Sequence, residues 1–201
     1  MSKVVLFLNG QAPSKMPDTK SFEKIFCTDG AYRYLRNKGI VPDVVSGDFD
    51  SISSSEIPND IEVVVTPDQN FTDFEKALMI IKSRKYQTVY VYGSSGMEHD
   101  HFLGNLTSAL KYKDELTIIF FDDYSYYFFA DKETSLDGYL GRTISLYPFP
   151  ITQGISTKGL KYALENEDLD LTNRIGIRNQ AIEEEVKIIF EKGNLLIFIK
   201  I

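Results

Sequence analysis

Asp48 and Asp50 stand two residues apart in the stretch Pro42-Asp43-Val44-Val45-Ser46-Gly47-Asp48-Phe49-Asp50-Ser51, where a β-branched run gives way to a loop. In an extended segment the two carboxylates share a side and Phe49 points the other way. Converging carboxylates repel and resist ionisation unless a cation lies between them. Mg²⁺ suits that position, since it takes oxygen ligands and needs only one or two carboxylates plus substrate phosphates. The competing reading is a solvated turn in which Asp48 caps a helix and Asp50 faces water. Other segments bear on the choice. The run 63–65 leads into Thr66-Pro67-Asp68-Gln69-Asn70-Phe71-Thr72-Asp73, and the run 89–92 into Gly93-Ser94-Ser95-Gly96-Met97-Glu98-His99-Asp100-His101. Each ends at a helix start with carboxylates, and Asp29-Gly30 follows the run 25–28 in the same way. Taken singly, Asp73 also reads as a first-turn residue favoured by the helix dipole, and His101 as a structural histidine. Gly93 and Gly96 flank a serine pair whose backbone N–H groups could hold phosphate, although neither a Walker P-loop nor Gly-x-Gly-x-x-Gly is present.

Positioning these groups requires strands that end at one edge. Short β-rich runs at 4–8, 25–28, 44–46, 63–65, 89–92 and 117–121 alternate with helical patterns, the order that gives a parallel sheet with crossover helices. Open sheets of this kind place ligands beyond the strand carboxyl ends, where the carboxylates fall. Phe74, Ala77, Leu78 and Ile81 predict a one-faced helix over 73–82, opened by a Thr72-to-Glu75 capping box. A second helix over 101–111 carries Phe102, Leu103, Leu106 and Leu110 on one side, and a third begins near Asp29 and stops at Gly39. After about residue 125 the helical period disappears. Runs at 126–130, 143–147, 186–191 and 195–199 predict a small antiparallel unit, with Lys192-Gly193-Asn194 as a hairpin turn. The expected organisation is an α/β domain over 1–125 and a β-sandwich domain over 126–201.

Composition narrows the function classes. Twenty-two Lys and Arg against twenty-nine Asp and Glu give a net charge of −7 over 201 residues, the opposite of a nucleic-acid backbone binder. Cys27 is the single cysteine, which excludes an intrachain disulfide and a cysteine-based zinc site. No apolar run approaches the roughly 20 residues of a membrane span or the pattern of a signal peptide. A soluble cytoplasmic protein is expected, with no nucleic-acid or membrane partner.

Thr28-Asp29-Gly30-Ala31, Gly47-Asp48-Phe49-Asp50-Ser51, Asp68-Gln69 with Thr72-Asp73-Phe74 and Lys76-Ala77-Leu78, then Gly93, Gly96, Asp100-His101 and Asn105, follow one another in an order that resembles the thiamine pyrophosphokinase family. Ser145-Leu146 and the segment Thr157-Lys158-Gly159-Leu160-Lys161-Tyr162 extend the likeness into the C-terminal part. What the resemblance implies is transfer of pyrophosphate from ATP to the hydroxyethyl group of thiamine, giving thiamine diphosphate and AMP. It implies an N-terminal α/β domain carrying ATP and Mg²⁺, a C-terminal β-sandwich, and a thiamine site at a homodimer interface. By that likeness Asp48, Asp50 and Asp73 hold Mg²⁺ and Asp100 lines the reaction centre. Gln69, Lys76, His101 and Asn105 position the polyphosphate, bordered by Asp29, Gly30 and Ser51. Thr172-Asn173 corresponds to a thiamine-contacting Ser-Asn segment. Tyr162 is either the aromatic wall of the thiamine pocket or a core tyrosine. One departure stands out: Gly96-Met97-Glu98-His99-Asp100-His101 replaces the family's frequent Gly-Gly-Arg-x-Asp-His, so a cation is lost unless Lys76, Arg33 or another base compensates. A related pyrophosphokinase for a pterin-type alcohol, or a binding module without catalysis, are the alternatives.

Overall fold

The computed structural model describes residues 2–50, 52 and 54–201, and these form two compact units, one ending at Asp123 and the other spanning Tyr124–Ile201. In the first, strands β1 (Lys3–Phe7), β2 (Ile25–Thr28), β3 (Val44–Gly47), β4 (Glu62–Val65), β5 (Thr88–Tyr92) and β6 (Thr117–Phe121) are all parallel, in the order β4-β3-β2-β1-β5-β6. The chain winds outward from β1 to β4, then returns to lay β5 on the other side of β1. That reversal is the switch point at which open sheets leave a crevice beyond the strand ends.

Three helices cross over. In α1 (Asp29–Asn37) the stripe Ala31, Tyr32 and Leu35 packs with Val5, Phe7, Cys27 and Val45 on one sheet face. Gly39, with φ +72°, lets the chain leave the helix as the sequence predicts. Helix α2 (Asp73–Ser83) buries Phe74, Ala77, Leu78 and Ile81 against β2 and β3, and also packs on α3 (His99–Tyr112). Only half of the predicted capping box forms. Thr72 Oγ1 accepts the Glu75 N–H at 3.2 Å, but the Glu75 side chain is buried and paired with Lys111 Nζ at 3.0 Å instead of reaching back. Thr72→Ala should lower stability by about 1 kcal/mol, measured by denaturant unfolding. In α3 the buried face is Leu106, Ser108 and Ala109, whereas Leu103, predicted inward, is 58% exposed.

The second unit is antiparallel. It comprises β7 (Ser125–Phe129), β8 (Glu133–Asp137), β9 (Thr143–Lys158), β10 (Glu167–Asp170), β11 (Gly176–Gln180), β12 (Glu185–Ile189) and β13 (Lys192–Lys200). The long β9 serves two sheets. Up to Ile155 it pairs with β13, β10 and β11, and from Ser156 to Lys158 with β12, which in turn pairs with β8. A strand that changes sheets makes the corner of a sandwich. The core between the sheets contains Leu136, Ile144, Leu146, Ile155, Leu169, Val186, Ile188 and Ile197.

The predicted hairpin at 192–194 does not form. Lys192 and Gly193 pair with Gln153 and Thr152 of β9, and β12 and β13 lie in different sheets. Gly193 is required by proximity: a Cβ there would press on the Ile151 carbonyl, and the register shifts just after it.

Candidate active site

The carboxyl ends of β1 to β5 surround a cleft of about 420 Å³ in the N-terminal unit. Asp29, Gly30, Asp48, Asp50, Gln69, Asp73, Lys76, Asp100, His101 and Asn105 all line it. The first turns of α1, α2 and α3 open onto it as well, so three helix N-termini offer partial positive charge to an anion. Ser51 lies outside the described residues.

The Asp48–Asp50 segment is not extended. Phe49 has φ +61°, a conformation non-glycine residues rarely adopt, and its side chain packs against the α1-side core. Asp29 supports this kink. Its carboxylate, 4% exposed at the residue level, accepts the Phe49 N–H at 2.9 Å and the Gly30 N–H at 2.7 Å. Gly47 makes room for it, since a Cβ at 47 would lie under 3.0 Å from the Asp29 carboxyl atoms. The result gathers one carboxylate oxygen from each of Asp29, Asp48 and Asp50 within 4.8 Å of one another. Asp48 does not cap a helix; its Oδ1 accepts the Asp50 N–H at 3.2 Å in a local turn.

Electrostatics separate the members of the cluster. Burial pushes the Asp29 carboxyl above the usual carboxylate range, against the opposing pull of its two N–H donors. The Gln69 side-chain amide, 3.0 Å from Asp48 Oδ2, and then the Asp50 N–H hold Asp48 below that range. Three close carboxylates, one of them buried, form an all-oxygen donor set that fits a hard divalent cation. Asp73 lines the same cleft but is paired with Lys76 Nζ at 2.8 Å. Lys76 is itself buried and donates to the Thr66 carbonyl at 3.0 Å, which fixes its ammonium at the cleft wall.

Also lining the cleft, Asn105 Nδ2 donates to the Ser94 carbonyl at 2.9 Å, tying α3 to the Gly93–Gly96 turn. That turn is bound to the end of β1, since the Gly93 and Ser95 carbonyls accept the Gly10 and Gln11 N–H groups at 2.7 and 2.8 Å. His101 is exposed, with Nε2 3.7 Å from Glu98 Oε2, and Asp100 Oδ1 accepts the His101 N–H at 2.9 Å. Asn9, Gly10 and Thr72 also line the cleft and are absent from the sequence-based site, while Ser95 belongs to the serine pair that the sequence offers as a phosphate turn. Asn9-Gly10 follows a parallel strand as the acidic segments do, which is the signal that could have placed it.

The remaining predicted residues lie in the C-terminal unit. Tyr162 is 62% exposed and not a core tyrosine. Lys161 Nζ sits 5.6 Å over its ring, and the buried Asn179 grips its backbone, accepting from Tyr162 N at 3.0 Å and donating to Tyr162 O at 2.7 Å. Thr172 and Asn173 form the turn between β10 and β11, where Asp170 Oδ1 accepts the Thr172 N–H at 2.7 Å and its hydroxyl at 2.6 Å.

Residues 19–120, just over half of the chain, match the family model described as thiamin pyrophosphokinase, catalytic domain. The chain belongs to the thiamin pyrophosphokinase family. Residues 131–195 match that family's vitamin B1 binding domain. Thiamin pyrophosphokinase 1 of Caenorhabditis elegans is 29% identical over 174 residues, covering 79% of this chain and 72% of the relative. Thiamine pyrophosphokinase of Bacillus subtilis is 28% identical over 171 residues, covering 81% and 80%. The crystal structure of a thiamine pyrophosphokinase from Bacillus subtilis superposes with a TM-score of 0.82 at 25% identity, covering 98% of each chain. The yeast thiamin pyrophosphokinase structure shares the fold at 16% identity, with a TM-score of 0.85 over 99% of this chain and 86% of that one. The parallel N-terminal sheet and antiparallel C-terminal unit are those of the family. No helix is long and apolar enough to cross a membrane among the described residues.

Proposed function

We propose that the protein transfers the pyrophosphoryl group of ATP to the hydroxyl of thiamine, releasing thiamine diphosphate and AMP. The observation that carries this reading is the cleft in which a carboxylate cluster, a fixed lysine and three helix N-termini meet. Phosphoryl-type transfer depends on positioning and on neutralising charge that builds on phosphate oxygens. Asp48 and Asp50, with Asp29 beside them and Asp73 lining the same cleft, would hold Mg²⁺, which supplies charge neutralisation on the polyphosphate. Lys76 adds a second positive charge that needs no metal. Gln69, His101 and Asn105 position the phosphates and the loops that carry them, with Gly30 at the border. Asp100, in the first turn of α3, orients the attacking hydroxyl and accepts its proton, a contribution of about 10²–10⁴ in rate.

Thiamine carries a thiazolium cation, which an exposed aromatic face and hydrogen-bonding groups suit. Tyr162, Thr172 and Asn173 are assigned to it. The match to a vitamin B1 binding domain favours thiamine over a pterin alcohol, and the intact carboxylate set favours catalysis over binding alone. A cytoplasmic homodimer completes the reading, supported by the exposed apolar residues Ile177 and Ile182 on the C-terminal unit. Incubation with thiamine, ATP and Mg²⁺ should yield thiamine diphosphate and AMP in equal amounts. Release of ADP or free phosphate without thiamine diphosphate would reject the assignment.

A further inference from the structure

We propose that Arg178 and Lys161, on the C-terminal unit, recognise the diphosphate end of the reaction product and so discriminate product from acceptor, an inference that rests on the assignment of Tyr162 to thiamine above. The chain carries a net charge of −7, yet residues 158–162 and 176–181 hold Lys158, Lys161 and Arg178 and no acidic residue. The two segments are joined directly. Lys161 N donates to the Gln180 carbonyl at 2.8 Å, Leu160 bridges Ala181, and the Asn179 amide clamps both backbone groups of Tyr162. Lys161 and Arg178 are exposed and make no ion pair among the described residues. An acceptor that is itself a cation gains nothing from such neighbours. The Lys161 ammonium, 5.6 Å over the Tyr162 ring, even competes with a thiazolium for that face. The product carries a diphosphate where the acceptor has a hydroxyl, and a diphosphate is what these side chains can hold. Arginine meets phosphate oxygens with two parallel N–H donors, and lysine adds a point charge.

Backbone geometry singles out Arg178. Gly176 pairs with Leu146 and Asn179 with Ile144, so Ile177 and Arg178 together stand opposite Ser145, the two-against-one arrangement of a β-bulge. Arg178 has φ +59°, in the left-handed region where an arginine is strained and a glycine is not. Its neighbours enforce that conformation. The Arg178 N–H donates to Ser145 Oγ at 3.0 Å, and the next residue, the buried Asn179, accepts the Gln180 N–H on its own Oδ1 at 2.9 Å while it grips Tyr162. Strained non-glycine backbone persists only where the surroundings over-determine it, and such positions cluster at ligand sites. Here the strained residue is a cation one position from the clamp on the exposed ring.

The test measures binding of thiamine and of thiamine diphosphate, as separate probes, to the full-length protein by calorimetry. EDTA is present throughout, to withhold the divalent ion that the carboxylate cleft needs before it accepts phosphate. The wild-type protein should bind the diphosphate more tightly than thiamine. Arg178→Gly and Lys161→Met should each weaken the diphosphate by about tenfold, the effect of losing one charge-assisted hydrogen bond, and leave thiamine at or above its wild-type affinity. Arg178→Gly should also hold or raise the melting temperature, because it removes a strained φ; a role confined to shaping the bulge would lower it. Equal affinity of the wild type for the two probes, or no weakening of the diphosphate in either variant, overturns the proposal. So does equal weakening of both probes, which would make these residues part of the ring's support. A wild-type protein that binds neither probe would instead defeat the placement of thiamine on Tyr162 in the proposed function.

Discussion

Asp48→Asn is expected to lower thiamine diphosphate formation by about 10²-fold or more, because even groups that only support a metal ligand typically cost about 10- to 100-fold when changed. The substitution is nearly isosteric, and the surroundings can accommodate it. Gln69 can turn its amide to meet the new side chain, while the Asp50 N–H keeps an acceptor if the introduced amide turns its oxygen toward it. What disappears is one negative charge from a set of three oxygens within 4.8 Å of each other. The fold should therefore survive while the affinity for a divalent ion falls. Mn²⁺ titration followed by electron paramagnetic resonance separates that effect from turnover. Acid titration gives a further readout. Asp48 has a folded-state pKa below its unfolded value, so its contribution to stability is present above the ordinary carboxylate range and is lost as pH falls through the depressed value. The variant should lack that part of the acid-side slope. Wild-type Mn²⁺ affinity together with wild-type turnover in Asp48→Asn would remove the carboxylate cluster from the mechanism.

How much of this was legible beforehand differs between the two units, for a physical reason. Strand β2 is buried at all but its first residue and β6 carries an unbroken apolar run after Thr117, so both appear in the sequence with the observed limits. The antiparallel unit hides its strands. Leu136 in β8, Leu169 in β10 and Asn179 in β11 are the one buried residue of each strand, too few to establish a period of two. Strand β9 contains Pro148, Pro150 and Gly154, which read as punctuation, yet it continues for 16 residues because it serves two sheets in turn. At the cleft, Asp48, Asp50, Asp73 and Asp100 were found from their places after strands. The function of Asp29 was not, since it arises from contacts with Gly47 and Phe49 across 18 to 20 positions of chain. Spacing along a sequence cannot display a contact of that kind.

Gly47→Ala tests the contact directly, and its effect should rival that of losing a metal ligand. Gly47 is buried and its φ lies outside the left-handed region, so alanine would be acceptable to the backbone; the obstacle is the Asp29 carboxyl, under 3.0 Å from the added methyl. One of the two must move. Strand β3 is held between β2 and β4, so displacement falls on Asp29. Once displaced, Asp29 no longer accepts the Phe49 N–H, and the strained φ of +61° loses the bond that opposes its relaxation. Asp48 and Asp50 then lose their common direction. The variant should be less stable by about 1–3 kcal/mol, the usual cost of overpacking, and turnover should fall by about 10²-fold. The double variant Asp29→Ala/Gly47→Ala discriminates space from orientation. Removing the carboxyl relieves the clash, so stability should recover relative to Gly47→Ala alone, giving a favourable coupling energy in the cycle. Turnover should not recover, because the turn still lacks its acceptor. If Gly47→Ala proved as stable and as active as the wild type, the carboxylate geometry would not depend on Asp29, and the kink at Phe49 would have to be held by the packing of its ring alone.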